Sequence, residues 1–365
     1  MTAAVGYPRK YTFPSTPAGG NAAQVLGPTS LVWSVRQENM PGTISGVPGA
    51  APLKPVSLPT SGGTRETVDV GQKVLNLQKI EDPKVSIHQC KQKYGAEAIR
   101  SIFTKLEERD AKPVFEEINL SDTALGDDGA KYLADGLKDC KTLKTLLMPR
   151  SDVRANGFQA MGAVLPTLPN LEMLIMSGNL ADPEGVGGEF RAGLSKNTSL
   201  KSLCLAACRL QDKGVQDLCE GPLRSHPKLE HISLNYNRLE DEACSSVAKM
   251  LAQNSVLEYL ELCGNSISAA GAEQLVKGLK ARGCKLKRLG LAQNNLRTEG
   301  SKIMCQHFVS AEGQSMMYLD LRHNITGTKG HIEIRKMLNK PYDSDDANKG
   351  WMINFGERQL MLNAL

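Results

Sequence analysis

The sequence predicts an α/β solenoid in which short parallel strands line the inside of an arc and helices form the outside. Three observations predict it. One spelling recurs eight times at a spacing of 28 to 30 residues, in copies that begin at Phe115, Leu143, Leu171, Leu200, Leu229, Leu257, Leu286 and Met316. Inside each copy the apolar spacing changes from alternation to a helical period. An asparagine recurs at the ninth position of five of the eight copies.

The fifth and sixth copies show the spelling most fully. The fifth places Leu229, Ile232, Leu234, Asn237 and Leu239 before Ala243, Val247 and Leu251; the sixth places Leu257, Leu260, Leu262, Asn265 and Ile267 before Gly271, Leu275 and Leu279. Positions 4 and 6 alternate, as in Ile118 and Leu120, Leu146 and Met148, Leu203 and Leu205, or Leu289 and Leu291, so both point to one side of a strand. The residues that follow recur at four-residue spacing, which marks one face of a helix. Strands pair about 4.8 Å apart and helices pack about 8–10 Å apart, so a stack of such units bends with its strands inside.

Position 9 reads Thr123, Ser151, Asn179, Cys208, Asn237, Asn265, Asn294 and Asn324. The chain turns there, and the turn's buried amides need partners. An asparagine side chain both donates and accepts, whereas Thr, Ser and Cys are weaker substitutes. The N-terminal copies are therefore expected to be the less regular ones.

This pattern, L-x-x-L-x-L-x-x-N-x-L followed by G-x-x-x-L-x-x-x-L, resembles the leucine-rich repeats of the long, helix-containing class seen in ribonuclease inhibitor and in the Ran GTPase activator. The resemblance covers roughly 225 of the 365 residues. It implies an arc-shaped leucine-rich repeat solenoid of eight repeats. It fixes no activity, because folds of this kind host unrelated binding roles.

The flanking sequence divides the chain further. Residues 1–63 carry nine of the 18 prolines and nine of the 34 glycines, with Glu38 as their one acidic residue. That composition buries too little apolar surface to fold alone and reads as an extended arm. Its Tyr7, Tyr11, Phe13 and Trp33 are the expected anchors for a partner's grooves. Residues 64–114 read as a linker and an N-terminal capping helix. Asp82 and Pro83 supply a helix start, and Ile87, Cys90, Tyr94, Ala98, Ile102 and Leu106 form an apolar stripe that ends before Pro113. Residues 115–340 are the repeat domain. Residues 341–365 are a C-terminal cap, with Trp351, Ile353 and Phe355 alternating as a closing strand and Leu360 and Leu362 adding to it. Gly and Pro at Asp182–Gly188 and at Gly221-Pro222 are expected to break two outer helices.

Composition narrows the function class. The chain has 44 basic and 39 acidic residues, a net charge of +5 too diffuse for nucleic-acid binding. No apolar run reaches the roughly 18 residues of a membrane span, and no secretory leader opens the chain. The nine cysteines form no C-x-x-C pair and read as reduced, buried residues of a cytoplasmic protein. Phosphate-loop, zinc-protease and nucleophile-elbow spellings are absent. Gly185, Gly187 and Gly188 lack the context of a dinucleotide loop. The Asp343–Asn348 stretch lacks the glycine and glutamate of a calcium loop. The expectation is therefore a non-enzyme with no cofactor, no metal and no small-molecule substrate.

Strand alternation points positions 3 and 5 into the arc. The N-terminal half then exposes Leu147, Met173, Ile175 and Cys204 as an apolar cluster, covered by a partner or by the chain's own arm. The C-terminal half presents His231, Tyr236, Tyr259, Glu261, Arg288, Tyr318, Asp320 and Arg322, a composition typical of interface anchors. The expected function is a protein-binding scaffold within a large complex. By resemblance to axonemal leucine-rich subunits, that complex is cytoskeletal or ciliary. A regulator of a small GTPase, similar to the Ran GTPase activator, and an inhibitor of the ribonuclease-inhibitor type are the alternatives. The short acidic tail and the weakly acidic inner face speak against each in turn.

Overall fold

The computed structural model describes residues 84–86, 94–108, 112–339, 352–355 and 358–362. Nine strands run in parallel and in sequence order. They are β1 (Lys84–Ser86), β2 (Glu117–Asn119), β3 (Thr145–Leu147), β4 (Met173–Ile175), β5 (Ser202–Cys204), β6 (His231–Ser233), β7 (Tyr259–Glu261), β8 (Arg288–Gly290) and β9 (Tyr318–Asp320). The sheet stays open and ends in β11 (Arg358–Met361), parallel to β9, and then β10 (Met352–Phe355), antiparallel to β11. The sequence expectation of a leucine-rich repeat solenoid with an inner parallel sheet and returning helices holds.

Helices return the chain between strands: α1 (Tyr94–Glu108), α2 (Gly126–Leu137), α3 (Ala155–Val164), α4 (Asp182–Val186), α5 (Gly188–Lys196), α6 (Gln211–Glu220), α7 (Pro222–Ser225), α8 (Asp241–Leu251), α9 (Ala269–Leu279), α10 (Arg297–Val309) and α11 (Gly327–Met337). The two glycine-proline disruptions appear as breaks, α4 from α5 at Gly187 and α6 from α7 at Gly221. Some helix starts are capped by an aspartate of the repeat before them. Asp127 accepts from the Arg154 and Gly157 amides at 2.7 and 2.9 Å, and Asp241 accepts from the Ser268 amide at 2.8 Å.

The core lies between the sheet and the helices. Every residue at positions 4 and 6, from Ile118 and Leu120 to Leu319 and Leu321, is at most 2% exposed. Each of the repeat strands β2 to β9 has only three residues, so one of them faces the core and two face the other way.

The turn after each strand is the most regular feature. Position 8 has a positive φ in all eight copies, between 53° and 71°, although only Gly178 and Gly264 are glycines there. Its amide crosses to the next copy. Asp122, Arg150, Ala207, Tyr236 and Gln293 all donate to the carbonyl at position 7 of the following repeat, at 2.7 to 2.9 Å. The position-9 asparagine closes the same turn. Asn265 accepts from the Asn237 and Leu239 amides at 2.8 and 3.1 Å and donates to the Leu234 and Leu262 carbonyls at 3.3 and 2.8 Å. Asn179 does the same for Ser151, Val153, Met148 and Met176. The substitutes only donate: Thr123 and Ser151 each reach the Leu120 carbonyl, and the Cys208 thiol reaches that of Met176.

Three expectations are corrected. The helix expected to start at Asp82-Pro83 starts at Tyr94, and Lys84–Ser86 instead forms β1, in register with β2 through Lys84–Glu117, Val85–Ile118 and Ser86–Asn119. A further strand–helix unit thus precedes the eight copies. Its proline and capping aspartate look like a helix start in isolation, but the free edge of β2 offers backbone partners that only a strand can use. Of the expected capping stripe, Ala98 and Ile102 are buried and Leu106 is half-buried against the core, and Ile99 and Phe103, which lie outside the expected stripe, are buried as well. The strand that closes β9 is Arg358–Met361, and the segment containing Ile353 and Phe355 pairs outside it. Trp351 and the Asp343–Asn348 stretch lie outside the described residues. The third concerns the apolar part of the inner face, which is buried.

Replacing Asn265 with Ala strands two buried amides and removes the side-chain donor from the Leu234 carbonyl, whereas the Leu262 carbonyl keeps its bond from Asn294. We expect a loss of unfolding free energy of about 2–4 kcal/mol by denaturant titration, against about 1 kcal/mol for Ser151→Ala, which removes a single donor.

Candidate functional site

The inner face is built by register. Position 3 forms one row, Thr145–Met173–Ser202–His231–Tyr259–Arg288–Tyr318, and position 5 forms the next, Leu147–Ile175–Cys204–Ser233–Glu261–Gly290–Asp320. Ten of the twelve sequence-predicted face residues fall in these rows. Tyr236 and Arg322 fall in the turns after β6 and β9. The proposed arm anchors Tyr7, Tyr11, Phe13 and Trp33 lie outside the described residues.

The apolar half corrects the sequence reading. Leu147, Met173, Ile175 and Cys204 are 7, 7, 3 and 5% exposed, so they do not form an exposed cluster. Strand neighbours at about 4.8 Å shield such side chains laterally, an effect that single-residue alternation does not reveal. The Cys204 thiol also lies 2.9 Å from the Ser177 hydroxyl.

The polar half keeps more surface in one row. His231, Tyr259, Arg288 and Tyr318 are half-buried. The His231 and Tyr259 rings stack at 4.0 Å, and the Arg288 guanidinium sits 4.3 Å over the Tyr318 ring. Burial holds the His231 imidazole below its ordinary range, so it is a neutral surface at neutral pH. Tyr236 lies across Gly264 and donates its hydroxyl to Gln293, spanning the turns of three successive repeats.

The second row is deeper and carries the charge. Asp320 is 1% exposed and is gripped by Arg322, whose Nε and Nη2 donate to its two oxygens at 2.9 and 2.6 Å. That bond raises the Arg322 guanidinium further above its ordinary value. Glu261, 6% exposed, has no such partner. Its hydrogen bond comes from the Cys263 thiol at 3.6 Å. Burial pushes its carboxyl up to about 7, with Arg288 acting in the opposite direction. Gly290 makes room for this arrangement, since a side chain there would overlap the Glu261 carboxyl.

Sequence reasoning missed three members of this site. Ser202 and Ser233 are 3 and 2% exposed, and their hydroxyls have no hydrogen-bond partner. Cys263 is the donor to Glu261. Register alone pointed to the serines; nothing in the spelling pointed to the thiol. Among the described residues no group of three or more His, Cys, Asp or Glu side chains is arranged to hold a metal ion, and no helix is long and apolar enough to cross a membrane.

A carboxyl raised from 4.5 to about 7 in the folded state adds stability fully only below 4.5 and loses it as pH rises through about 7. At 1.36 kcal/mol per pH unit the loss is about 3 kcal/mol at most. Glu261→Gln should remove that pH dependence, so the variant gains on the native chain across this window. Thermal unfolding followed against pH checks it.

A family model described as Leucine Rich repeat matches residues 112–134, 196–219 and 225–248. The chain is 26% identical to the ribonuclease inhibitor of Mus musculus over 255 residues, covering 62% of this chain and 55% of that protein. It is 25% identical to the ribonuclease inhibitor of Sus scrofa over 315 residues, covering 76% of this chain and 67% of that protein. It is 32% identical to NACHT, LRR and PYD domains-containing protein 13 of Homo sapiens over 180 residues, covering 49% of this chain and 17% of that protein. The chain thus spans just over half the length of the mouse inhibitor and a small part of the human protein. Taken with the asparagine-closed turns and the open parallel sheet, the matches show that this chain carries leucine-rich repeats and is similar to ribonuclease inhibitor.

Proposed function

We propose that this chain is a non-enzymatic protein-binding scaffold that engages a partner through the inner strand face. The observation that carries the reading is the half-buried row His231, Tyr259, Arg288 and Tyr318, pre-stacked in pairs. Ring and guanidinium groups held in place lose little freedom on binding, and such groups dominate interface energetics. The apolar neighbours Met173 and Ile175 belong to the same face and extend it as a smooth wall.

The finer reading is a subunit of a large cytoplasmic assembly, cytoskeletal or axonemal by resemblance, with the 1–63 arm as a second contact. The domain limits 1–63, 64–114, 115–340 and 341–365 belong to this proposal. An inhibitor of the ribonuclease-inhibitor type is the second reading, favoured by the similarity to the mouse and pig proteins. The inner face here balances Glu261 and Asp320 against Arg288 and Arg322, which favours a partner of mixed charge over a strongly basic enzyme.

Tyr259→Ala and Arg288→Ala are expected to lower capture of binding partners from lysate at least tenfold, the size of one hot-spot loss of about 1.4 kcal/mol or more. Tyr132→Ala, on an outer helix, should leave capture unchanged. Equal capture by all three variants retires the inner face as the binding surface. Co-sedimentation with the cytoskeletal pellet supports the assembly reading, and inhibition of a ribonuclease supports the second.

A further inference from the structure

The row Cys204–Ser233–Glu261–Gly290–Asp320 contains a mismatch between acceptors and donors. Glu261 offers two carboxyl oxygens and receives one weak bond, from the Cys263 thiol at 3.6 Å. Ser233, its register partner on β6, is 2% exposed and its hydroxyl has no partner. Buried polar groups are normally paired, so two neighbouring groups short of a partner mark a place where a donor is missing. The other charges near it are committed. Asp320 is held by both arms of Arg322, and Arg288 lies over the Tyr318 ring.

We propose that the inner face across β6–β9 holds a subsite for one cationic side chain of a partner, a lysine ammonium or an arginine guanidinium, received by the Glu261 carboxylate with the Ser233 hydroxyl as second acceptor. The proposal rests on the inner face being the binding surface. It adds which group of the partner is read there.

The geometry selects a single slender group. Glu261 keeps 6% of its surface, and Gly290 supplies no side chain to the row between it and Asp320. A long side chain can reach a carboxyl with so little surface and a folded surface cannot. The groups around Glu261 are Ser233 and His231 from β6, Tyr259 from β7, Arg288 from β8, Tyr318 and Asp320 from β9, and Cys263 and Arg322 from the turns. His231 is held neutral by burial, and Tyr318 is held protonated by the same cause. Glu261 is thus the member of the set that changes charge near neutrality. An arriving cation favours the carboxylate and displaces its proton, so binding tightens as pH rises through about 7.

The test uses the full chain with carboxyl-labelled glutamate, read by NMR. One glutamate carboxyl should titrate with a midpoint of about 7 and be missing from Glu261→Gln. Addition of n-butylammonium or n-butylguanidinium chloride should lower that midpoint. Neutral n-butanol and potassium chloride at matched ionic strength should not. Ser233→Ala should keep the titrating carboxyl and weaken its response to the amines several-fold. A midpoint unmoved by either cation, or moved equally by potassium chloride, overturns the subsite. Partner capture separates the two readings. If Tyr259→Ala abolishes capture while the cations leave the carboxyl untouched, the binding face stands and the subsite falls. If the cations act but capture survives every inner-face substitution, Glu261 is a cation-responsive carboxyl, and the binding face, with the partner side chain assigned to it, falls.

Discussion

The structure depends on how the chain turns after each strand. Position 8 sits in the left-handed region in every copy, six times without glycine, at a backbone conformation that disfavours most side chains. What holds it there is the neighbouring repeat. The position-8 amide donates forward to the next turn, and the position-9 asparagine accepts from the amides of the turn before it. Neither bond exists in an isolated repeat. The turn is therefore made by stacking, and a repeat without neighbours has no reason to adopt it.

A turn fixed in this way fixes register. All strand pairs from β1 to β9 align residue for residue, so equivalent positions form straight rows. Rows turn sequence spacing of 28 to 30 residues into side-by-side contact. His231 meets Tyr259, Arg288 meets Tyr318, and Glu261 lies next to the bare Gly290 for this reason alone. Outside the rows the chain is freer. Helices α4/α5 and α6/α7 break without disturbing the strands beneath them.

The repeats were legible in the sequence because the asparagine and the leucines each answer a local need that recurs. The β1 strand was not. Asp82-Pro83 satisfies the local rules for a helix start, and only the unpaired edge of β2 overrules them. A second set of asparagines was also illegible. Asn197 and Asn254 sit between repeats, each accepting from two amides just ahead and donating back to a carbonyl about one repeat away. Two occurrences make no visible period. The face residues were found by alternation, but their burial was not, because burial depends on the neighbouring strand and alternation describes only one. Glu261 was found as an anchor. Its lack of donors depends on Ser233, Cys263 and Gly290 together, which no single copy displays.

The two halves of the solenoid differ in a way that links the turn to the face. From β6 to β9 the ladder Asn237–Asn265–Asn294–Asn324 is unbroken, and those strands carry the polar inner rows, including a buried carboxyl that burial disfavours in its charged form. From β2 to β5 the ladder reads Thr123, Ser151, Asn179 and Cys208, with three members that donate without accepting, and there the inner rows carry Leu147, Met173, Ile175 and Cys204. In a repeat array stability is a sum over neighbours, so a deficit in one term is offset locally. Apolar burial on the inner face offsets weak turns at one end. Strong turns at the other end leave the inner face free to hold groups chosen for what they bind.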